Sequence, residues 1–304
     1  MNRLLSIAMP TYNGERFLRE QIDSILSQTV QEFELVISDD CSTDNTLSIA
    51  NEFAQNDVRI KVLSNKKNIG FKKNVEKVLK ACSGEYILLS DQDDIWMPNH
   101  IEVLMCEAND SQAMLICGRP VFVDEFNCEL PNTFDYFKMD YVPKNDIEHA
   151  QHIFMGRSSY QGASMLIRRN FLEKALPIPE CAGYHDNWFA ALSVFYGGLR
   201  YVDTPILRYR RWSNAITIGS KRQSAFRKFI GGLLFNHALK DRIAILSEIE
   251  IRISDLSAEK KELLYLFKKM IKRRNTLLGR IENLFYVIPH FKAIYSYDGK
   301  HLFT

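Results

Sequence analysis

"YILLSDQDDIWMP", residues 86–98, carries Tyr86, Ile87, Leu88 and Leu89 into Asp91, Asp93 and Asp94, then closes on Trp96 and Pro98. A short apolar run bounded by turn residues reads as a buried strand. Carboxylates this close repel one another. Holding them at a strand end costs free energy unless a cation or hydrogen-bond donors compensate. A divalent metal is the expected compensator.

The same design occurs upstream. In "FELVISDDCSTDNT" (33–46), the strand Phe33–Ser38 enters Asp39 and Asp40, and Ser42 or Thr43 can cap a helix carrying Leu47, Ala50 and Phe53. Leu4–Met9 and Val58–Leu63 read as further strands. Helices are expected over Glu15–Gln28, with Phe17, Ile22, Ile25 and Leu26 on one face, and after "NKKNIG", with Val75, Val78 and Leu79. Strands alternating with helices imply an α/β chain with a doubly wound, mostly parallel sheet. Such sheets bind ligands at the carboxyl ends of their strands, so both acidic clusters belong to one rim. Beyond residue 110 the rhythm loosens: a strand over Met114–Val123, a loop over 127–150, a strand over 158–169, a helix over 184–198, and a basic helical extension from about 220.

Composition narrows the class. The 304 residues are 46% hydrophobic and 25% charged with a net charge of +2, ordinary for a globular protein. Six cysteines without a C-x-x-C spacing argue against a zinc site or a disulfide framework and for a reducing compartment. The opening "MNRLLSIAMPTYNGER" is too short in apolar residues for a signal peptide, and no run of 18 apolar residues occurs. The expected place is the cytoplasm. No phosphate-binding glycine loop of the dinucleotide or Walker type is present.

Taken together, "SIAMPTYNGERFLREQIDSILSQT", "FELVISDDCSTDNT", "NKKNIGFKKN" and "GEYILLSDQDDIW" resemble the family 2 inverting glycosyltransferases of GT-A fold, over roughly residues 3–215. The "DQDDIW" form is most similar to bacterial rhamnosyltransferase-type members that build surface polysaccharides such as O-antigen and capsule. The resemblance implies that Pro10, Thr11 and Tyr12 flank the nucleotide base, and that Asp39, with Asp40 beside it, accepts a pyrimidine N–H. It places Lys67, or its neighbour Lys66, near the diphosphate, with Asn68, Gly70 and Asn74 in the same segment. Asp94 is expected to ligate Mn²⁺ or Mg²⁺, Asp93 to hold the ribose or share the metal, and Asp91 to orient the turn. In "YHDNWFAA" the family's base position falls on Asp186, with His185 as a neighbour able to tune it or share the role. Gly162 of "YQGASMLIRR" matches the acceptor side. In "RYRRWSNAIT", Arg210 or Arg211 can clamp a phosphate and Trp212 stack on a sugar. Trp212 stands where a histidine is expected, which puts a metal ligand from this loop in doubt.

The implied donor is dTDP-rhamnose or a UDP-hexose, and the implied acceptor a saccharide on a polyprenyl diphosphate. Two rival readings are a sugar nucleotidyltransferase and a non-catalytic nucleotide-sugar sensor at the membrane. The domains expected are 1–218, divided at 110 into nucleotide-sugar and acceptor halves, and the helical region 219–304. Between 259 and 280 stand eight Lys or Arg and two Glu, with Leu263, Phe267, Met270, Leu277, Ile281 and Leu284 at helical spacing. A basic amphipathic helix suits an anionic membrane surface, the preferred partner; packing on the catalytic domain is the alternative. Nucleic acid is not expected, because the basic face has no interleaved aromatics.

Overall fold

The computed structural model describes residues 5–130, 142–155, 160–212 and 237–274. Four parallel strands, β1 (Leu5–Thr11), β2 (Glu34–Asp39), β3 (Ile60–Ser64) and β4 (Tyr86–Leu89), alternate with α1 (Leu18–Leu26), α2 (Thr46–Asn56) and α3 (Phe71–Ala81). Both faces of β1, β2 and β4 are covered, so these strands are buried throughout. Alternate residues supply two cores: Ile7, Leu35 and Leu88 beneath α1 and α2, Ala8, Val36 and Ile87 beneath α3. Helix α3 presents Val75, Val78 and Leu79 at i, i+3 and i+4, all fully buried. The third strand starts two residues later than expected because Val58 is 92% exposed.

The second half of the sheet is mixed rather than parallel. After β5 (Ile95–Trp96) and α4 (His100–Asp110) come β6 (Leu115–Val123), α5 (Asp146–Met155), β7 (Met165–Arg168), α6 (Arg169–Ala175), α7 (His185–Tyr196) and β8 (Leu199–Arg210). The eight strands lie in the order β3-β2-β1-β4-β7-β6-β8-β5, with β7 antiparallel to β4 and β6, and β8 parallel to β6. One continuous sheet therefore joins the two expected halves. Part of the expected 127–150 loop is α5, and β7 is confined to the end of the expected 158–169 strand, of which 158 and 159 lie outside the described residues.

The C-terminal extension contributes α8 (His237–Arg252) and α9 (Ala258–Arg274). The apolar face assigned to a membrane is used otherwise: Leu264, Phe267 and Ile271 are buried with Phe154, Trp188 and Phe195 in the core under α5 and α7. Lys260, an isolated cation on that face, donates from Nζ to the Val194 carbonyl at 2.8 Å and pairs with Asp146 at 3.3 Å, meeting the negative end of α7. Arg252 covers the Trp188 ring at 4.8 Å and donates to the Pro177 carbonyl at 2.7 Å. These helices share the core beneath α5 and α7. The expected boundary at 218, and Leu277, Leu278, Arg280, Ile281, Leu284 and Phe285, lie outside the described residues. Among the described residues, no helix is long and apolar enough to cross a membrane.

Candidate active site

The carboxyl ends of β1, β2 and β4 form the rim. Thr11 pairs with Asp39, and Asp39 with Ser64. After Pro10 and Thr11 the chain turns through Asn13 (φ 48°) and exposes Tyr12, 46% accessible, a ring surface for a base. The turns after β1 and β4 are fastened together by the Gln92 amide. Its Oε1 accepts the Tyr12 N–H at 2.8 Å, and its Nε2 donates to the Tyr12 carbonyl at 3.0 Å. Gly14 permits this, since a Cβ there would lie 2.4 Å from Gln92. Neither residue was singled out from sequence; an amide among three acids and the "NG" turn were the available signals.

The first acidic pair is buried at the end of β2 and hydrogen-bonded into the wall of the rim. Asp39 is fully buried and accepts from Ser42 N–H at 3.0 Å, Thr11 Oγ1 at 3.3 Å and the Ser42 hydroxyl. Asp40, 2% exposed, accepts from Asn65 Nδ2 at 2.8 Å, Ile69 N–H at 2.8 Å and Gly70 N–H at 2.9 Å. Through these bonds Asp40 clamps the 65–70 loop to the end of β2. Asn74 is likewise internal, bridging α3 to Ser38 through its carbonyl at 2.7 Å and its hydroxyl at 2.8 Å. Lys66, Lys67 and Asn68 are exposed at the rim, and Gly70 takes the left-handed φ of 87° that starts α3.

The second cluster is held from β8. Asp94, 1% exposed, accepts the Arg210 N–H at 2.9 Å through Oδ1, while its buried Oδ2 has no partner. The Arg210 side chain is enclosed. It donates to the Asp93 carbonyl at 2.9 Å and the Glu125 carbonyl at 3.0 Å, pairs with Glu20, and lies over the Phe17 ring at 4.3 Å. Its guanidinium braces the turn, with all three of its nitrogens engaged by protein oxygens. Arg211 faces the other way, over Phe122 at 5.7 Å and Tyr209 at 6.0 Å. Trp212 donates its indole N–H to Asp93 Oδ2 at 2.8 Å.

Asp91 and Asp93 are partly buried, and Asp94 lies behind them. Burial pushes the Asp91 carboxyl up to about 7, with the Asp93 and Asp186 charges adding to it. Burial likewise raises Asp93 and, more strongly, Asp94. A buried carboxylate oxygen without a partner among the described residues, in an acidic field that Arg210 offsets only in part, fits a divalent ion. Among the described residues no three ligating side chains close on one point, in keeping with an ion held partly by substrate phosphates. Asp91 and Asp93 are more accessible than Asp94, whose open Oδ2 is buried.

Opposite stands the start of α7. The Asp186 carboxylate accepts the Asn187 N–H at 2.6 Å and a further N–H from Gly162. Burial nevertheless pushes it up to about 6. His185, 7% exposed, packs against Phe71 and Phe189, and burial holds it down to about 4. Gly162 admits that ring: a Cβ would lie 2.4 Å from Nε2. An imidazole so reluctant to take a proton is a poorer base at neutral pH than a carboxylate near 6. The charge of Asp186 reaches Asp91, so α7 and the acidic turn line one site.

Residues 6–187 match the family model described as glycosyl transferase family 2. The chain is 42% identical over 100 residues (33% of this chain, 39% of the relative) to the Escherichia coli UDP-Glc:alpha-D-GlcNAc-diphosphoundecaprenol beta-1,3-glucosyltransferase WfgD. It is 38% identical over 143 residues (42% of this chain, 49% of the relative) to the Shigella flexneri dTDP-rhamnosyl transferase RfbG. These matches span under half of each relative's length. The fold is similar to that of S. aureus TarS 1–349 in complex with UDP-GlcNAc, with a TM-score of 0.62 at 20% identity over 86% of this chain and 71% of that one. On the match to more than half of its length, the chain belongs to glycosyl transferase family 2.

Proposed function

We propose that this protein transfers a sugar from a nucleoside-diphosphate donor to a hydroxyl of a saccharide acceptor, with inversion at the anomeric carbon. The observation that carries this is the placement of Asp186, a carboxylate raised to about 6, across the rim from the acidic turn of Asp91 and Asp93. Asp186 takes the proton of the acceptor hydroxyl as that oxygen attacks from the face opposite the departing diphosphate. Tyr12 offers a stacking surface for the base, and Lys66 and Lys67 are exposed where a diphosphate would lie. Asp91 and Asp93 would hold Mn²⁺ or Mg²⁺, which when bound neutralises charge on the leaving diphosphate. Gly162 donates its N–H to Asp186 and admits the His185 ring beside it.

The names of the relatives favour a uridine- or thymidine-linked donor, a hexose or rhamnose, and a polyprenyl-diphosphate-linked acceptor in bacterial surface-polysaccharide synthesis. The site would then work peripherally at the cytoplasmic face of the inner membrane. With the apolar face of α9 occupied, the membrane-facing surface would be its outer side, where Tyr265 (61% exposed) and Leu266 (43%) stand among Lys269, Lys272 and Arg273. The test is nucleoside-diphosphate release from a panel of UDP- and dTDP-sugars with Mn²⁺ and saccharide acceptors. Release that requires Asp186 supports the reading. Absence of turnover across the panel, or pyrophosphate release from nucleoside triphosphates, would refute it.

A further inference from the structure

We propose that Trp212 is a positioning residue of the cation site: by holding Asp93 Oδ2, its indole orients that carboxylate and ties the acidic turn to the end of β8. This rests on the reading of Asp91 and Asp93 as the carboxylates that face the cation. The contact is a 2.8 Å hydrogen bond between residues 119 positions apart. It is one of a pair. At the end of β8, Arg210 and Trp212 meet successive acids: the Arg210 N–H bonds Asp94 Oδ1 at 2.9 Å, the Trp212 indole bonds Asp93 Oδ2.

The indole is itself fixed. Its ring stands edge-on to Phe17 at 5.3 Å, and the other partners of that phenyl are the guanidinium groups of Arg210 at 4.3 Å and Arg16 at 4.7 Å. The donor is thus held by the same cluster that braces the backbone of the turn. Chemistry restricts its role further. An indole nitrogen donates one hydrogen bond and has no lone pair for a metal, so Trp212 acts on a cation only through the carboxylate it holds. Outer-shell partners of ligating groups typically change metal affinity by about 10–100-fold when removed.

The experiment uses the full chain without any sugar donor. Mn²⁺ affinity is measured by electron paramagnetic resonance for wild type and Trp212→Phe, which keeps a ring for stacking but lacks the N–H. The three tryptophan indole resonances are followed in ¹⁵N-labelled wild type during Mg²⁺ titration. A loss of about 10–100-fold in Mn²⁺ affinity, with a Mg²⁺-dependent shift of the Trp212 indole while Trp188, bonded to the Ala175 carbonyl at 2.7 Å, stays in place, supports the proposal. Unchanged affinity in Trp212→Phe overturns it and leaves the cation reading standing; wild type that binds no Mn²⁺, either alone or with added UDP, overturns both. Should the variant not fold, the wild-type spectrum decides: the indole broadened first by Mn²⁺ is that of Trp212, and failure of Mg²⁺ to shift it is the negative result.

Discussion

Replacing Asp186 with asparagine keeps the side-chain shape and the hydrogen bonds from Asn187 and Gly162 to an oxygen, but removes the only group at that point able to accept a proton near neutrality. With its carboxyl pushed up to about 6, roughly 90% of the enzyme carries the base form at pH 7 and roughly 10% at pH 5. For wild type, kcat/KM should fall about tenfold per pH unit below that value. Asp91, up at about 7 in the free protein, would add a second acidic limb. Saturating Mn²⁺ stabilises its charged form and shifts that limb downward, so the profile should be measured at saturating metal. Asp186→Asn should lose about 10²–10⁴ in turnover, about 3–5 kcal/mol of transition-state stabilisation, and the remaining activity should lose the limb near 6. The assay is nucleoside-diphosphate release between pH 4.5 and 8.5. A wild-type limb near 4, where His185 titrates, would hand the base role to the imidazole. Wild-type turnover in the variant would remove Asp186 from the mechanism.

The raised carboxyl of Asp91 also links metal to stability. Its folded value of about 7 exceeds its unfolded one, so its ionisation destabilises the fold increasingly as pH rises from about 4 to 7. Mg²⁺ or Mn²⁺ should therefore raise the melting temperature more at pH 8 than at pH 5.5; an equal shift at both would contradict this. Phe267→Ala should destabilise the whole domain by about 3–5 kcal/mol in one cooperative transition, because Phe267 sits in the core beside Phe154 at 5.6 Å. A separate early transition of the C-terminal helices in calorimetry would argue against that shared core. Gln161 is 6% exposed and, among the described residues, neither atom of its side-chain amide has a partner. Gln161→Met should stabilise the free protein by about 1–3 kcal/mol in denaturant unfolding, and a loss of stability would show that the amide is satisfied.

The first hundred residues were legible because each strand is a short apolar run ended by acids or turn residues, and each helix repeats its apolar residues at 3.6. Strand β8 was not: "LRYVDTPILRYR" mixes charge and apolar residues because its middle, 202–205, is accessible while both ends carry buried residues, and its pairing with β6 shifts register there, so no period survives. The acids of the rim were visible as a group, yet their division of labour was not. Which of Asp39, Asp40, Asp91, Asp93 and Asp94 faces outward depends on Ser42, Asn65 and Arg210, partners up to 116 positions away that local pattern cannot pair. The tail shows the same limit. Its amphipathic face was evident, but whether lipid or Trp188 covers it is a property of the finished fold.

The Gln92 bracket has an evolutionary consequence. Because one amide joins the backbone of the base-binding turn to the turn that carries the acids, the two segments drift together, and an insertion in either would displace both. Divergence in nucleotide preference within this lineage should therefore accumulate in side chains such as Tyr12, or in the 65–70 loop, while the lengths of the two bracketed turns stay constant.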